Sequence, residues 1–232
     1  MTDNNDKKTD TILTNDPRPR SSSSGGGGRD SCQTPDMAVD LLTPYIKPGA
    51  VVWEPACGEG YMARRLTENG FNVIASDLIF GVDFLTHPLP AGVEYIISNP
   101  PFSRICYKFL ARMMLLAAQH GIKWALLMKS EVYCNAGYRN SCFGYNRPLT
   151  EIIIPTRRID YKMPGKGWEG DSTFHTNWYT YKMGVGHPII EAKYPVNPKA
   201  GGPNGANRFR REPPTREELN RMLIQAPIQA RF

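Results

Sequence analysis

The sequence has few of the residues that build disulfide frameworks or metal centres. Its five cysteines are odd in number and include no Cys-x-x-Cys pair, so neither a disulfide framework nor a zinc ribbon is indicated. The four histidines are scattered, without the spacing of metal ligands. We therefore expect no metal ion, and a reducing compartment such as the cytoplasm of a bacterial or phage-infected cell.

Long hydrophobic runs are also missing. No stretch approaches the roughly 18 apolar residues that span a bilayer. The amino terminus is polar and lacks the basic patch followed by an apolar run that marks a signal peptide. The sequence predicts a soluble protein without a membrane partner.

The composition that remains suits one α/β domain. The chain has 232 residues, of which 41% are hydrophobic, enough to fill one substantial core. Its formal net charge is +6. An excess of lysine and arginine favours a polyanionic partner, because cations that neutralise phosphates release condensed counterions.

Three regions differ in composition. Residues 1–30 are polar, end in a serine and glycine run, and predict a disordered arm. Residues 31–183 carry the ordered domain. Residues 184–232 form a basic tail, rich in proline and glycine, that we expect to be mostly irregular apart from a short helix over 214–224.

Within the domain, predicted strands and helices alternate. Thr34-Pro35-Asp36 begins a short helix, and further helices are predicted over 61–69 and 104–119. Strands are predicted over 50–54, 72–76, 94–98, 123–128, 150–155 and 174–183. The last of these alternates aromatic and polar residues, as an antiparallel strand does. The alternation predicts a doubly wound, mostly parallel sheet with one late antiparallel strand.

A glycine turn follows the first predicted strand. The segment Glu54-Pro55-Ala56-Cys57-Gly58-Glu59-Gly60 lets the backbone approach a ligand closely, yet it is neither the dinucleotide G-x-G-x-x-G pattern nor a phosphate loop. Asp77 ends the second strand, where a carboxylate can accept hydrogen bonds from ribose hydroxyls, and Asp83 follows in a turn.

The acidic side chains around this turn select the charge of the ligand. Three carboxylates (Glu54, Asp77 and Asp83) would repel a pyrophosphate and attract a cation. S-adenosylmethionine carries a sulfonium and an ammonium group. The residues therefore favour S-adenosylmethionine over a nicotinamide cofactor or ATP.

A second motif follows the third predicted strand: Asn99-Pro100-Pro101-Phe102. This motif is similar to the signature of amino-group methyltransferases, whose acceptor, such as the exocyclic amine of adenine, is a poor nucleophile because its lone pair is delocalised into the ring. The Asn99 side-chain oxygen and the Pro100 carbonyl can accept its two N–H groups, and consecutive prolines hold these acceptors in place. Phe102 offers a face on which an extruded base can stack.

These motifs resemble those of class I adenine-N6 DNA methyltransferases. Glu54–Gly60 is similar to their first cofactor motif, Asp83-Phe84-Leu85 to their third, and Thr34-Pro35 to the motif that helps hold the methionine end. Asn99–Phe102 resembles the signature of amino-group methyltransferases. The resemblance implies a Rossmann-like fold and methylation of adenine N6 in DNA, with Asn99, Pro100, Pro101 and Phe102 as catalytic residues.

The resemblance also implies roles in cofactor binding. Glu54 and Gly58 would border the methionyl group, Asp77 the ribose and Asp83 the adenine amino group. Phe84 and Phe102 would be apolar neighbours of the adenine ring. The full predicted set is Thr34, Glu54, Ala56, Gly58, Gly60, Asp77, Asp83, Phe84 and Asn99.

The motif order, with Thr34-Pro35 first and Asn99–Phe102 last, resembles the gamma-type arrangement. A large carboxyl-terminal target-recognition domain is missing, so the chain is similar to the compact forms of restriction-modification enzymes in phages and mobile elements. The best candidate for contacting DNA is the loop 157–168, which mixes cations and aromatics. Its candidate residues are Arg157, Arg158, Lys162, Lys166 and Trp168.

Three alternatives stay open at this point. Protein-glutamine methyltransferases share an Asn-Pro-Pro turn, although they favour tyrosine where this chain has Phe102. RNA adenine is a further acceptor with the same chemistry. A non-catalytic, DNA-binding subunit of a modification complex is the third. The sequence does not indicate an oligomeric state.

Overall fold

The computed structural model describes residues 32–134, 150–162, 174–186, 189–192 and 215–222. The predicted arm over residues 1–30 lies outside this part of the chain. Seven strands form one sheet: β1 (Val51–Glu54), β2 (Asn72–Ala75), β3 (Tyr95–Ser98), β4 (Lys123–Lys129), β5 (Thr150–Pro155), β6 (Thr176–Tyr181) and β7 (Ile189–Ala192). The described helices are α1 (Asp36–Asp40), α2 (Tyr61–Glu68), α3 (Ile105–His120), α4 (Glu131–Cys134) and α5 (Arg216–Met222).

The strand order is β2-β1-β3-β4-β6-β5-β7. Strands β1 to β4 are mutually parallel, β6 is antiparallel to both β4 and β5, and β7 is parallel to β5. The prediction of a mostly parallel α/β sheet with an antiparallel late strand is confirmed. The order reverses between β1 and β3, and in open α/β sheets this switch point is where ligands bind.

Apolar side chains cover both faces of the sheet. On one face, Ala125 and Leu127 of β4 pack with residues of α1 and α2. On the other face, Leu126 and its neighbours on β4 pack with α3. Because successive side chains of a strand point to opposite faces, the continuous apolar run of β4 feeds both layers.

The short helix α1 is fixed to the rest of the fold by polar contacts as well as by burial. The indole Nε1 of Trp178, on β6, donates to the Ala38 carbonyl at 2.8 Å. Arg65 of α2 bonds both carboxylate oxygens of Asp40 at 2.7 and 2.8 Å. These contacts fix the segment that carries Thr34 and Pro35 beside the sheet.

Two elements lie in the region from residue 184 onward. Strand β7 was not predicted, and it extends the sheet beside β5. Helix α5 lies within the predicted 214–224 helix and begins at a reciprocal cap: Thr215 Oγ1 accepts from the Glu218 N–H at 3.2 Å, and Glu218 Oε2 accepts from the Thr215 N–H at 2.8 Å. Its Leu219 and Met222 pack near α2 and β2.

Candidate active site

The glycine turn after β1 is joined to the end of β2. The Gly58 N–H donates to Asp77 Oδ2 at 2.8 Å, and the Ile79 N–H donates to Asp77 Oδ1 at 3.1 Å. The Cys57 N–H bonds the Ser76 carbonyl at 3.0 Å. Asp77 is therefore held against the turn by backbone donors. Its predicted contact with ribose hydroxyls stays a prediction.

Gly58 is favoured by its backbone conformation and by a close contact with the Gln33 side chain. Its φ is +51°, and a Cβ at this position would lie 2.6 Å from Nε2 of Gln33. Gln33 Oε1 in turn accepts from the Glu59 N–H at 3.2 Å. The side chain of Gln33 therefore packs directly on the turn, a contact that the sequence analysis missed.

Glu54 is the most unusual carboxyl group of the site. Its side chain is 2% exposed, and its Oε2 is buried with no hydrogen-bond partner among the residues described. Burial raises the pKa of Glu54 well above its ordinary value, the charge of Asp77 raises it further, and a hydrogen bond from the Ala63 backbone opposes part of the rise. A cation placed beside Glu54 would relieve both desolvation and repulsion.

The third acidic residue sits in a compact turn. Asp83 Oδ1 accepts from the Leu85 N–H at 2.9 Å, and the Asp83 carbonyl accepts from the His87 N–H at 2.8 Å. The neighbouring Phe84 ring is 2% exposed, packed 5.2 Å from the Trp53 ring and 4.7 Å from the Phe109 ring. The structure thus places Phe84 in the core, where it anchors the Asp83 turn.

The sequence did not single out the apolar residues Leu78 and Ile79, which follow Asp77. Leu78 and Ile79 are 70% and 72% exposed, in the 3-10 turn that follows Asp77 directly. Exposed aliphatic residues of this size are notable when they adjoin a carboxylate at the end of a strand. In the sequence, the feature that could have indicated them is an apolar pair immediately after Asp77, which follows β2.

The Asn99 amide has a defined orientation. Its Nδ2 donates to the Cys32 carbonyl at 3.2 Å and to Thr34 Oγ1 at 3.0 Å. Its Oδ1 is buried and has no hydrogen-bond partner in the described part of the chain. Both donors are consumed by the Thr34 segment, so the oxygen remains as an acceptor. The two sequence motifs that contain Thr34 and Asn99 are thus in direct contact.

An aromatic group adjoins the Asn99 turn. The Phe102 ring lies 5.5 Å from the Tyr161 ring and 5.1 Å from the Phe174 ring, both edge to face. Lys129 Nζ lies 5.3 Å from the centroid of Phe174. The sequence predicted Phe102 here but did not predict its packing against Tyr161 and Phe174. Tyr161 lies in the loop after β5, Phe174 lies just before β6, and Lys129 ends β4.

The predicted nucleic-acid residues divide into three kinds. Arg157 and Arg158 are exposed, and Arg158 Nε donates to His175 Nε2 at 3.0 Å. Lys162 is tied to the glycine turn by its contacts with Glu59 and Tyr61. Lys166 and Trp168 lie outside the described residues, so the predictions on them stay predictions.

The remaining predicted site residues are at the same carboxyl edge of the sheet. Pro100 is buried, Pro101 is half-buried, and Ala56 and Gly60 lie in the turn after β1. Gly60 has a φ of +84° and precedes α2. Within the described ranges, no group of three or more His, Cys, Asp or Glu could hold a metal ion. Nor is any described helix long and apolar enough to cross a membrane.

No protein-family model and no curated protein matches the sequence. Solved structures do match. The methyltransferase subunit of a type I restriction-modification system from Streptococcus thermophilus aligns with a TM-score of 0.50 and 12% identity, over 73% of this chain and 48% of that one. The chain has a doubly wound, Rossmann-like α/β fold, which it shares with that methyltransferase subunit. It spans about half the length of that subunit.

Two other structures align less closely. One is a modification subunit assigned to a type I restriction enzyme of Vibrio vulnificus, with a TM-score of 0.45 and 14% identity over 72% of this chain and 48% of that one. The other is a protein of Listeria monocytogenes assigned to the class I S-adenosylmethionine-dependent methyltransferases, with a TM-score of 0.47 and 13% identity over 70% and 65%.

Proposed function

We propose that the protein transfers a methyl group from S-adenosylmethionine to the N6 amino group of adenine in DNA. The observation that carries this proposal is the Asn99 amide, whose two donors are used within the protein and whose buried oxygen is left to accept. An acceptor held in advance of the substrate suits an amino group, which brings N–H donors with it.

The carboxylates fit the cofactor. A buried Glu54 oxygen without a partner among the described residues suits the ammonium group of the methionyl end, and Asp77 suits the ribose hydroxyls. Asp83 would meet the adenine amino group, and Thr34, Ala56, Gly58 and Gly60 would line the methionyl side. The exposed pair Leu78 and Ile79 adds an apolar surface beside Asp77.

The cofactor supplies a methyl carbon bound to a positively charged sulfur. With cofactor and adenine both bound, the N6 lone pair would bond to this carbon as its bond to sulfur breaks, and the surplus amino proton would leave to solvent. Asn99 Oδ1 and the Pro100 carbonyl would accept the two N–H groups and favour a tetrahedral nitrogen. Positioning supplies most of the rate, so no strong general base is required.

Duplex DNA requires the adenine to leave the base stack before it reaches Asn99. The half-buried rings of Phe102 and Phe174 pack beside the buried Tyr161, and stacking of an extruded base on Phe102 would be worth about 1–3 kcal/mol. Arg157 and Arg158 are exposed in the loop after β5, where Arg158 bonds His175, and both would contact phosphates. DNA contacts are proposed for Lys166 and Trp168 as well. The gamma-type motif order supports the assignment to adenine-N6 enzymes.

The test is the identity of the methylated product. The wild-type protein would be incubated with labelled S-adenosylmethionine and, separately, with unmethylated DNA, RNA and a cell-free protein extract. Each product would be digested to nucleosides or amino acids. We expect label in N6-methyladenine from DNA. Label in RNA adenine or in glutamine would replace the substrate assignment, and a protein that binds DNA but transfers no label would be a non-catalytic subunit.

A further inference from the structure

Lys162 joins the loop after β5 to the cofactor turn. Its Nζ donates to Glu59 Oε2 at 2.7 Å and to the Tyr61 hydroxyl at 2.8 Å, and lies 4.7 Å from the Tyr61 ring centroid. Glu59 belongs to the glycine turn, and Tyr61 begins α2. Burial lowers the pKa of the Lys162 ammonium, but its bonds to Glu59 and Tyr61 outweigh this and raise it. It therefore carries its charge at neutral pH.

The backbone of Lys162 makes a second connection. The Gln33 N–H bonds the Lys162 carbonyl at 3.0 Å, and the Lys162 N–H bonds the Gln33 carbonyl at 3.2 Å, as an antiparallel bridge. The Gln33 side chain packs on Gly58, and the adjacent Thr34 accepts from Asn99. Lys162 thus contacts the cofactor turn directly and is linked to Asn99 through the Gln33–Thr34 segment.

We propose that Lys162 is a positioning residue for the cofactor: it fixes Glu59 and Gln33 so that the glycine turn and the Thr34 segment keep the spacing that S-adenosylmethionine requires. This inference rests on the proposed function. The inference replaces the predicted role of Lys162 in contacting DNA. Two of its three ammonium donors are bound inside the protein, and its side chain is 25% exposed. A lysine that holds a phosphate would present those donors to DNA.

The two roles differ in what they change when DNA is absent. A positioning lysine alters cofactor affinity by itself, whereas a phosphate-binding lysine alters only DNA affinity and its salt dependence. We would titrate S-adenosylmethionine into DNA-free protein by calorimetry, comparing wild type with Lys162→Met, Glu59→Gln and the double variant. We expect each single variant to raise the dissociation constant about threefold to tenfold. The double variant should be no worse than either, because all three remove the same ion pair.

Two controls separate positioning from general stability. Lys123→Met removes a similar lysine, whose Nζ lies 5.3 Å from the Tyr95 ring centroid and 3.4 Å from the Tyr95 hydroxyl at the opposite edge of the sheet. It should leave cofactor affinity unchanged. Lys162→Arg retains the cation and should recover most of the affinity lost in Lys162→Met. Thermal unfolding of every variant shows which fraction is folded.

Wild-type affinity in folded Lys162→Met would overturn the inference, all the more if the salt slope of its DNA binding fell by about one. Additive losses of cofactor affinity in the variant that combines Lys162→Met with Glu59→Gln would also overturn the inference, since they would mean that the two residues act separately. If the wild type itself bound no S-adenosylmethionine, the proposed function would fail instead. The two failures are therefore distinguishable.

Discussion

At the scale of single residues, the buried oxygen atoms without a hydrogen-bond partner among the described residues include Glu54 Oε2 and Asn99 Oδ1, both at the switch point. A buried polar group without a partner costs about 1–3 kcal/mol. Folding alone gains nothing from either atom. A ligand that brings a cation to one and N–H groups to the other accounts for both.

Glu54 should make the ligand-free protein less stable as pH rises. Because its pKa is raised in the folded state by burial and by Asp77, the folded protein holds the proton more tightly than the unfolded chain. Stability from this group is therefore present below the ordinary glutamate pKa and is lost as pH rises through the folded value. Glu54→Gln should abolish this loss, giving a melting temperature above wild type at neutral pH and a smaller difference at acidic pH.

The same substitution, Glu54→Gln, should weaken cofactor binding. Glu54→Gln removes the charge that we propose meets the ammonium group of S-adenosylmethionine, so affinity for this cofactor should fall while the melting temperature of the ligand-free protein rises. Thermal unfolding with and without cofactor measures both. The role proposed for Glu54 would be contradicted if Glu54→Gln were less stable than the wild type at neutral pH and bound S-adenosylmethionine with wild-type affinity.

Gly58 gives a second prediction at this scale. Gly58→Ala combines a positive φ with a clash against Gln33, whereas Gly121→Ala, at φ +71°, meets nothing within 4 Å. Gly121→Ala should cost about 1 kcal/mol from backbone conformation alone. Gly58→Ala should cost more in urea unfolding and should weaken cofactor binding, which Gly121→Ala should not. Equal effects of the two variants would show that the Gln33 contact is unimportant.

At the scale of elements, the sequence and the structure agree best where burial is strongest. The interiors of β1 to β6, of α2 and of α3 were predicted because their apolar residues follow the period of a strand or a helix. Strand β7 was missed since it is four residues long, lies at the sheet edge and follows His187-Pro188 in a region rich in glycine and proline. Its pairing with β5 is a long-range contact that local pattern does not reveal.

The positions of the candidate site residues were predictable to the same extent. The locations of Glu54, Asp77, Asp83 and Asn99 could be predicted because each lies at the end of a strand or in a turn within a recognisable motif. Their roles stay predictions. The roles of Gln33 and Lys162 could not be predicted, because Lys162 meets Glu59 from 103 positions away. The packing of Phe84 could not be predicted from the sequence either. An aromatic residue beside Asp83 is consistent with a ligand contact, whereas the structure shows its ring buried against Trp53 and Phe109.

Helix α5 closes one edge of the sheet and should contribute to stability. Leu219 packs in the cluster of Cys57, Ala63 and Ala75, next to the cofactor turn. Leu219→Ala should lower the free energy of unfolding by about 1–2 kcal/mol. Leu115→Ala on α3 is the matched control, since Leu115 is 46% exposed and should change little. Urea unfolding compares them, and equal midpoints would mean that α5 does not hold this edge.

At the scale of the whole molecule, the topology explains why distant motifs form one site. The sheet order reverses between β1 and β3, and these strands end at Glu54 and just before Asn99. The Thr34 segment lies between them, bonded to Asn99 on one side and adjoining the Gln33 contact with Gly58 on the other. The glycine turn and the Asn99 turn are therefore linked through this segment at the carboxyl edge of the sheet, although they are separate in sequence.

The most direct test of the account separates cofactor binding from methyl transfer at Asn99. Asn69→Ala is a matched control, because Asn69 Nδ2 also donates to two acceptors, Asp40 and Thr43, away from the site. Asn99→Ala should bind S-adenosylmethionine within about fivefold of wild type and transfer methyl groups to DNA at least about a hundredfold more slowly. Asn69→Ala should transfer at nearly the wild-type rate. Asn99→Ala that still methylates DNA at the wild-type rate would contradict the account.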